Sequence, residues 1–152
     1  MTQTADRLAR ILAATPLRLA DLSDADASQP SAPGQWSKKQ VLGHLIDSAA
    51  NNHQRFVRAQ LAPSYDGPSY QQEGWVAAQQ YATESWPDIV NLWLLYNRHL
   101  LHIIRNVPEA ALPVPCAIGG SEPVPLSEVI SSYVAIWSTT LPRFWGEPRT
   151  CA

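Results

Sequence analysis

Trp36-Ser37-Lys38-Lys39-Gln40-Val41-Leu42-Gly43-His44-Leu45-Ile46-Asp47 holds a helix start, an apolar stripe, and a histidine three residues before a carboxylate. Ser37 followed by Gln40 has the form of a capping box. The hydroxyl accepts from a backbone N–H one turn in, and the glutamine side chain reaches back. The pattern predicts a helix from there to about Leu61, where Ala62-Pro63 ends it. Successive residues turn by about 100° around a helix. On that wheel Val41, Leu42, Leu45, Ala49, Phe56 and Val57 form a wide apolar face, and His44, Asp47, Ser48, Asn51 and Arg55 form a polar strip beside it. Two plainer readings compete with a functional strip: a solvated face, or a hydrogen-bonded structural His44.

Outward from this helix the periodicity repeats. Leu8, Ile11, Leu12 and Leu19 predict a first helix starting near Thr4 or Ala5, with a kink or break at Pro16. Ser23 to Gln35 reads as a loop. Beyond the second helix, Pro63 to Gln72 is a loop containing the turn Asp66-Gly67-Pro68. A short extra helix, roughly Glu73–Tyr81, is expected to anchor through Trp75. Ser85-Trp86-Pro87-Asp88 then opens a third long helix, with Ser85 as cap, ending at Arg105 or Asn106. Its stripe is Ile89, Leu92, Trp93, Tyr96, Leu100 and Ile103. His99 falls within that stripe, His102 at its edge, and His53 on the apolar side of the second helix, so satisfied core histidines are the default. Residues 107–125, rich in proline, suggest a short hairpin or extended loop. After Pro125 a fourth long helix follows Leu126, Val129, Ile130, Tyr133, Val134, Trp137 and Leu141, with Pro142 near its end and residues 146–152 as a frayed tail. Four long amphipathic segments without sustained period-two alternation predict an all-α four-helix bundle, one domain over residues 1–152.

The composition excludes several classes of function. The chain has 152 residues, 45% hydrophobic and 16% charged, which suits a folded core. A net charge of −2 makes no electrostatic case for nucleic acid or an anionic membrane. No run of about 18 apolar residues is present, so no spanning helix is expected. Residues 1–15 mix charges with apolar positions, unlike a signal peptide. Cys116 and Cys151 lack metal or redox spacing, and a reduced, cytoplasmic protein is the simplest reading. The six tryptophans read mostly as packing anchors. No Gly-rich phosphate loop, G-x-S-x-G elbow or H-E-x-x-H motif occurs.

A metal site in a bundle draws ligands from facing helices. His44 and Asp47 are spaced i,i+3, as are His99 and His102, but none of the four histidines forms an i,i+4 pair. Trp36-Ser37, Gly43-His44-Leu45-Ile46-Asp47-Ser48 and Asn51-Asn52-His53-Gln54-Arg55-Phe56 resemble the signature of the DinB-like superfamily. Tyr65-Asp66, Trp75, Asn97-Arg98-His99-Leu100-Leu101 and Tyr133-Val134-Ala135 extend the resemblance along nearly the whole chain. The resemblance implies a bundle holding a divalent metal through three histidines, in a family that includes bacillithiol and mycothiol S-transferases. One family ligand matches His44. The other two, an H-x-x-x-H pair on the fourth helix, fall at Ile136 and Thr140.

That departure favours a degenerate member with no resident cofactor. Such a chain binds a small ligand, with Asp47, Asn51, Arg55 and His99 as candidates, or acts as a homodimer or interaction module. Its His44 is expected to bond Asp47 or Asn97. The alternative is a Zn- or Ni-dependent transferase or hydrolase using His44 with Asp47 and His99 or His102. In that reading Asn51 and Arg55 face the substrate, and Arg55 can pair a carboxylate bidentately.

Overall fold

A computed structural model describes residues 1–145, without the side chains of 138, 139 and 141–144. Tail residues 146–152, Cys151 and the Leu141 side chain, on which expectations were stated, lie outside the described part. Four long helices dominate: α1 (Thr2–Ala20), α3 (Lys38–Ala59), α5 (Trp86–Arg105) and α6 (Leu126–Phe144). Short helices α2 (Asp24–Ser28) and α4 (Gln72–Gln79) sit in the connections. Helices α5 and α6 each pack against both α1 and α3, giving the order α1–α5–α3–α6 around the bundle. The expected all-α four-helix bundle, with an extra helix between the second and third long helices, is therefore the fold observed.

The capping box forms as read. Gln40 N–H donates to Ser37 Oγ at 3.4 Å, and Ser37 N–H donates to Gln40 Oε1 at 3.0 Å. Leu42, Leu45, Ala49 and Phe56 are buried, but Val57, placed on the apolar face, is 37% exposed. Helix α1 runs through Pro16 without a break. Proline forfeits one i→i−4 bond, yet Leu12, Thr15 and Leu19 on either side are buried and hold the helix in place. In α5, Trp86, Ile89, Trp93, Asn97, Leu100 and Ile104 face inward, while Leu92 is 45% exposed. The α5 and α6 stripes meet at Trp93 and Trp137, with ring centres 5.4 Å apart.

The connections differ most from the sequence reading. Ser23–Gln35 is not all loop. Ser23 caps α2 by accepting from Asp26 N–H at 3.1 Å. Asp24 then ties three helices together. It accepts from buried Lys39 Nζ at 3.0 Å and from Trp86 N–H at 2.9 Å. Ser85, the expected cap, makes no side-chain cap bond. Asp24 supplies that acceptor from another element, as helix ends require. Trp75, the expected anchor of α4, is 39% exposed, and Val76 and Tyr81 are buried instead. Tyr81 lies in a 3₁₀ turn, Tyr81–Thr83, beyond the helix.

Strand β2 (Pro115–Ile118) pairs antiparallel with β3 (Val124–Pro125), as the hairpin reading anticipates. It also pairs in parallel with β1 (Tyr65–Gly67), in the register Tyr65 to Cys116. Gly119 and Gly120, with φ +61 and +77, turn the hairpin in a backbone region that favours glycine. Among the described residues no helix is long and apolar enough to cross a membrane.

Candidate functional site

A cleft of about 620 Å³ opens beside the first turns of α3. Trp36, Lys38, Val41 and His44 line one side, with Gln72 and Thr140 also in the wall. His44 and Thr140 thus share one cleft although 96 positions separate them in number (140 minus 44). Ile136, one turn before Thr140, is half-buried and packs against the core. The Ser37 cap fixes where α3 begins, and so directs Lys38, Val41 and His44, at helical spacings of three, toward the same side.

The His44 ring centre lies 5.4 Å from that of Trp36 and 6.5 Å from that of Tyr70. Its Nδ1 is buried and has no hydrogen-bond partner. The expected bond to Asp47 or Asn97 is therefore not made. Asn97 instead donates to the Trp93 carbonyl at 2.8 Å and accepts from the Tyr133 hydroxyl. Burial holds the His44 imidazole below its ordinary range, against the opposing charge of Asp47. A neutral ring with an available lone pair follows.

Asp47 does not line the cleft. It is 1% exposed, beneath Tyr81. Its Oδ1 accepts from Tyr81 Oη at 2.7 Å and from Gln79 Nε2, while Oδ2 is buried and unpartnered. Burial pushes its carboxyl above the ordinary carboxylate range, opposed by Tyr81, Gln79 and His44. Gly43 makes this packing possible, since a side chain there would occupy the space of the Tyr81 ring.

The rest of the polar strip turns to local work. Asn51 Nδ2 donates to the Asp47 carbonyl at 2.9 Å, one turn back on its own helix. Arg55 reaches Asn52 Oδ1 at 3.4 Å and the Pro68 carbonyl at 3.5 Å, tying α3 to the loop after β1. His99 is exposed, not within the core, and its neighbour is His53 at 5.2 Å between ring centres. His53 is half-buried, with Nδ1 3.1 Å from the Tyr96 hydroxyl. His53 lies nine residues along α3 from His44, about 13.5 Å of helix rise. His99 therefore does not join His44.

Sequence reasoning missed Tyr70, Gln72, Gln79 and Tyr81 around His44 and Asp47. Gly43 carried one usable signal. A glycine inside a helical stretch is costly and usually marks a close approach, here by Tyr81.

The donors in the cleft do not fit a three-imidazole metal centre. His44 offers one nitrogen, Thr140 a neutral hydroxyl, and Ile136 none. Among the described residues no group of three His, Cys, Asp or Glu is placed to hold a metal ion.

Comparison with known proteins agrees with the bundle. The solved structure described as "YfiT from Bacillus subtilis is a probable metal-dependent hydrolase with an unusual four-helix bundle topology" superposes with a TM-score of 0.68 at 18% identity, covering 97% of this chain and 91% of that one. A mycothiol-dependent maleylpyruvate isomerase superposes with a TM-score of 0.74 at 14% identity, covering 92% of this chain. This chain spans 59% of that protein's length. At such identities the likeness is one of fold. No curated protein sequence matches the chain significantly. The family profile described as DinB superfamily matches residues 7–135. The chain belongs to the DinB superfamily.

Proposed function

We propose that this protein binds a small organic ligand in the His44–Thr140 cleft and works without the three-histidine ion that the family resemblance implies. The cleft itself carries the reading. Its volume of about 620 Å³ falls in the range of small-molecule sites, roughly 300–1,000 Å³. Apolar Trp36 and Val41 offer a surface for the ligand's body. Lys38, His44, Gln72 and Thr140 offer polar contacts that fix its orientation. Lys38 has no ion-pair partner among the described residues, so an anionic group on the ligand gains a counter-charge there.

The test pairs two measurements on tag-free protein. Elemental mass spectrometry of wild type and His44→Ala should find no ion that depends on His44. A thermal-shift screen of small organic acids should give hits that Trp36→Ala abolishes. A screen whose hits are all indifferent to Trp36→Ala and Lys38→Gln sinks the proposal.

A second reading is a metal-dependent hydrolase or transferase. The description of the B. subtilis structure as a probable metal-dependent hydrolase favours it, as does the survival of His44. Near-stoichiometric Zn or Ni that disappears in His44→Ala would select this reading. Metal that survives the substitution belongs elsewhere on the chain.

A further inference from the structure

A second cavity, of about 390 Å³, lies in the groove between the start of α1 and the middle of α6. Gln3, Thr4, Arg7 and Arg10 line it from α1, and Ser131 and Val134 from α6. Gln3, Arg7 and Arg10 follow the i, i+4, i+7 spacing of one helix face. The groove shares no lining residue with the His44 cleft. Ser131 stands nine residues before Thr140 on α6 (140 minus 131), about 13.5 Å of helix rise.

The charge in this groove is one-sided. No Asp or Glu lines it among the described residues. Asp6, the one carboxylate of α1, turns to α5, where it lies 3.8 Å from Arg105. Arg10 has no ion-pair or hydrogen-bond partner among the described residues. Arg7 makes an interaction within the chain, and the five N–H donors of a guanidinium let it hold an anion as well. Like charges one turn apart on a helix repel, and an anion between them removes that repulsion. The first turn of α1 carries no acidic residue, and its N-cap makes no side-chain bond. The positive end of the helix therefore adds to the same field. The chain as a whole carries a net charge of −2, so this groove runs against the general sign of the molecule.

We propose that the α1–α6 groove binds a small polyol phosphate monoester, with its phosphate held by Arg7 and Arg10. The guanidinium fork matches phosphate oxygens bidentately. The Thr4 hydroxyl and the Gln3 amide supply neutral donors beside it. Ser131 Oγ donates to the Ser127 carbonyl at 2.8 Å, which leaves its oxygen to accept from a ligand hydroxyl. That acceptor, on the wall facing the arginines, is the reason to expect a hydroxyl-bearing body and not a bare anion. The cavity volume agrees, since about 390 Å³ lies within the range of small-molecule sites, roughly 300–1,000 Å³. Val134, buried on α6, gives the carbon skeleton an apolar contact.

The test uses full-length, tag-free protein and glycerol phosphate as the probe, at constant ionic strength. At about pH 7.5 a phosphate monoester is mostly dianionic. Amide NMR shifts should move at Thr4, Arg7 and Ser131, and saturate at one ligand per chain. Arg10→Gln and Arg7→Gln, at exposed positions, should keep the fold by circular dichroism and weaken binding roughly tenfold or more each. Arg10→Lys, which keeps the charge and loses the fork, should fall between wild type and Arg10→Gln. Arg98→Gln removes the same charge from an exposed position on α5 and should leave the affinity unchanged. Glycerate, the matched carboxylate, should bind roughly tenfold more weakly. Absence of binding, shifts confined to the His44 cleft, or equal losses in Arg10→Gln and Arg98→Gln overturn the proposal. Glycerate binding as tightly as glycerol phosphate overturns the assignment to phosphate.

Discussion

The Tyr81 ring occupies the space that a side chain on residue 43 would need. A Cβ on Gly43 would collide with Cδ2 and Cγ of the Tyr81 ring. Because residue 43 has no side chain, Tyr81 packs closely against α3 and its hydroxyl reaches Asp47 at 2.7 Å. One glycine thus places the donor that satisfies half of a buried carboxyl, one turn from the histidine of the cleft.

Gly43→Ala should destabilise the protein even though alanine is the better helix former. Helix propensity favours the change by about 1 kcal/mol. Displacing Tyr81 costs about 1–3 kcal/mol in overpacking and leaves Asp47 short of a donor as well. A net loss of about 1–5 kcal/mol should appear as a lower urea midpoint at unchanged slope. Tyr81→Phe, which keeps the ring and removes only the hydroxyl, should cost about 1–3 kcal/mol. Equal or higher stability of Gly43→Ala would mean that Tyr81 moves aside freely.

Acid should loosen the junction at Asp24. Its hydrogen bond from Lys39, followed by that from Trp86 N–H, holds its carboxyl below the ordinary range. The folded pKa is depressed, so the unfolded chain takes up the proton first. The stability Asp24 contributes is present above the ordinary carboxylate range and is lost as pH falls through the depressed value. Asp24→Asn should flatten the dependence of the urea midpoint on pH in that window. A wild-type slope identical to that of the variant would show that Asp24 contributes nothing.

His53 should add a milder loss at higher pH. Burial, then the charge of His99, depresses its pKa, so the unfolded state protonates first on acidification. Stability should fall as pH drops below about 6.5, the ordinary histidine value. His53→Gln should remove that part of the slope in denaturant titrations between about pH 7 and 5. Persistence of the slope in the variant would assign it to another group.

Restoring the implied ligands should create a three-histidine metal centre in the cleft. His44 and Thr140 already line one cleft, and Ile136 stands one turn earlier on α6. The double variant Ile136→His/Thr140→His should copurify with zinc or nickel, and His44→Ala in that background should lose the metal. Elemental analysis reads the result directly. A double variant that folds but takes up no metal would show that the three positions do not converge.

Trp36 should matter to whatever binds in the cleft. It is half-buried and faces the His44 ring at 5.4 Å. Trp36→Ala should abolish ligand-induced thermal shifts. The fold should persist, because Ser37 and Gln40 still cap α3. Circular dichroism separates the two effects, since loss of helical signal would assign Trp36 to the core.

The capping box was legible because its partners are three residues apart on one chain segment. The same locality made the four amphipathic stripes readable, and with them the bundle. Tyr65 and Cys116 pair as β1 and β2, yet no local pattern announces a parallel pairing between segments so distant in sequence. Helix α2 was missed because five residues are too few to show a period, although Ser23 three positions before Asp26 was a readable cap. The strip from His44 to Arg55 is polar by residue type alone, but its division of labour is not written there. A helical wheel gives the direction of a side chain and says nothing of what stands opposite it.

The sequence by itself determined the helices and the main inward faces, since these depend on period, caps and residue identity. Tertiary structure alone decided that Asp47 lies buried under Tyr81, that Asp24 joins three helix segments, and that His99 meets His53 and not His44. Those outcomes depend on which helices become neighbours and in what register. Close packing of whole surfaces sets both, and no short window of residues encodes either.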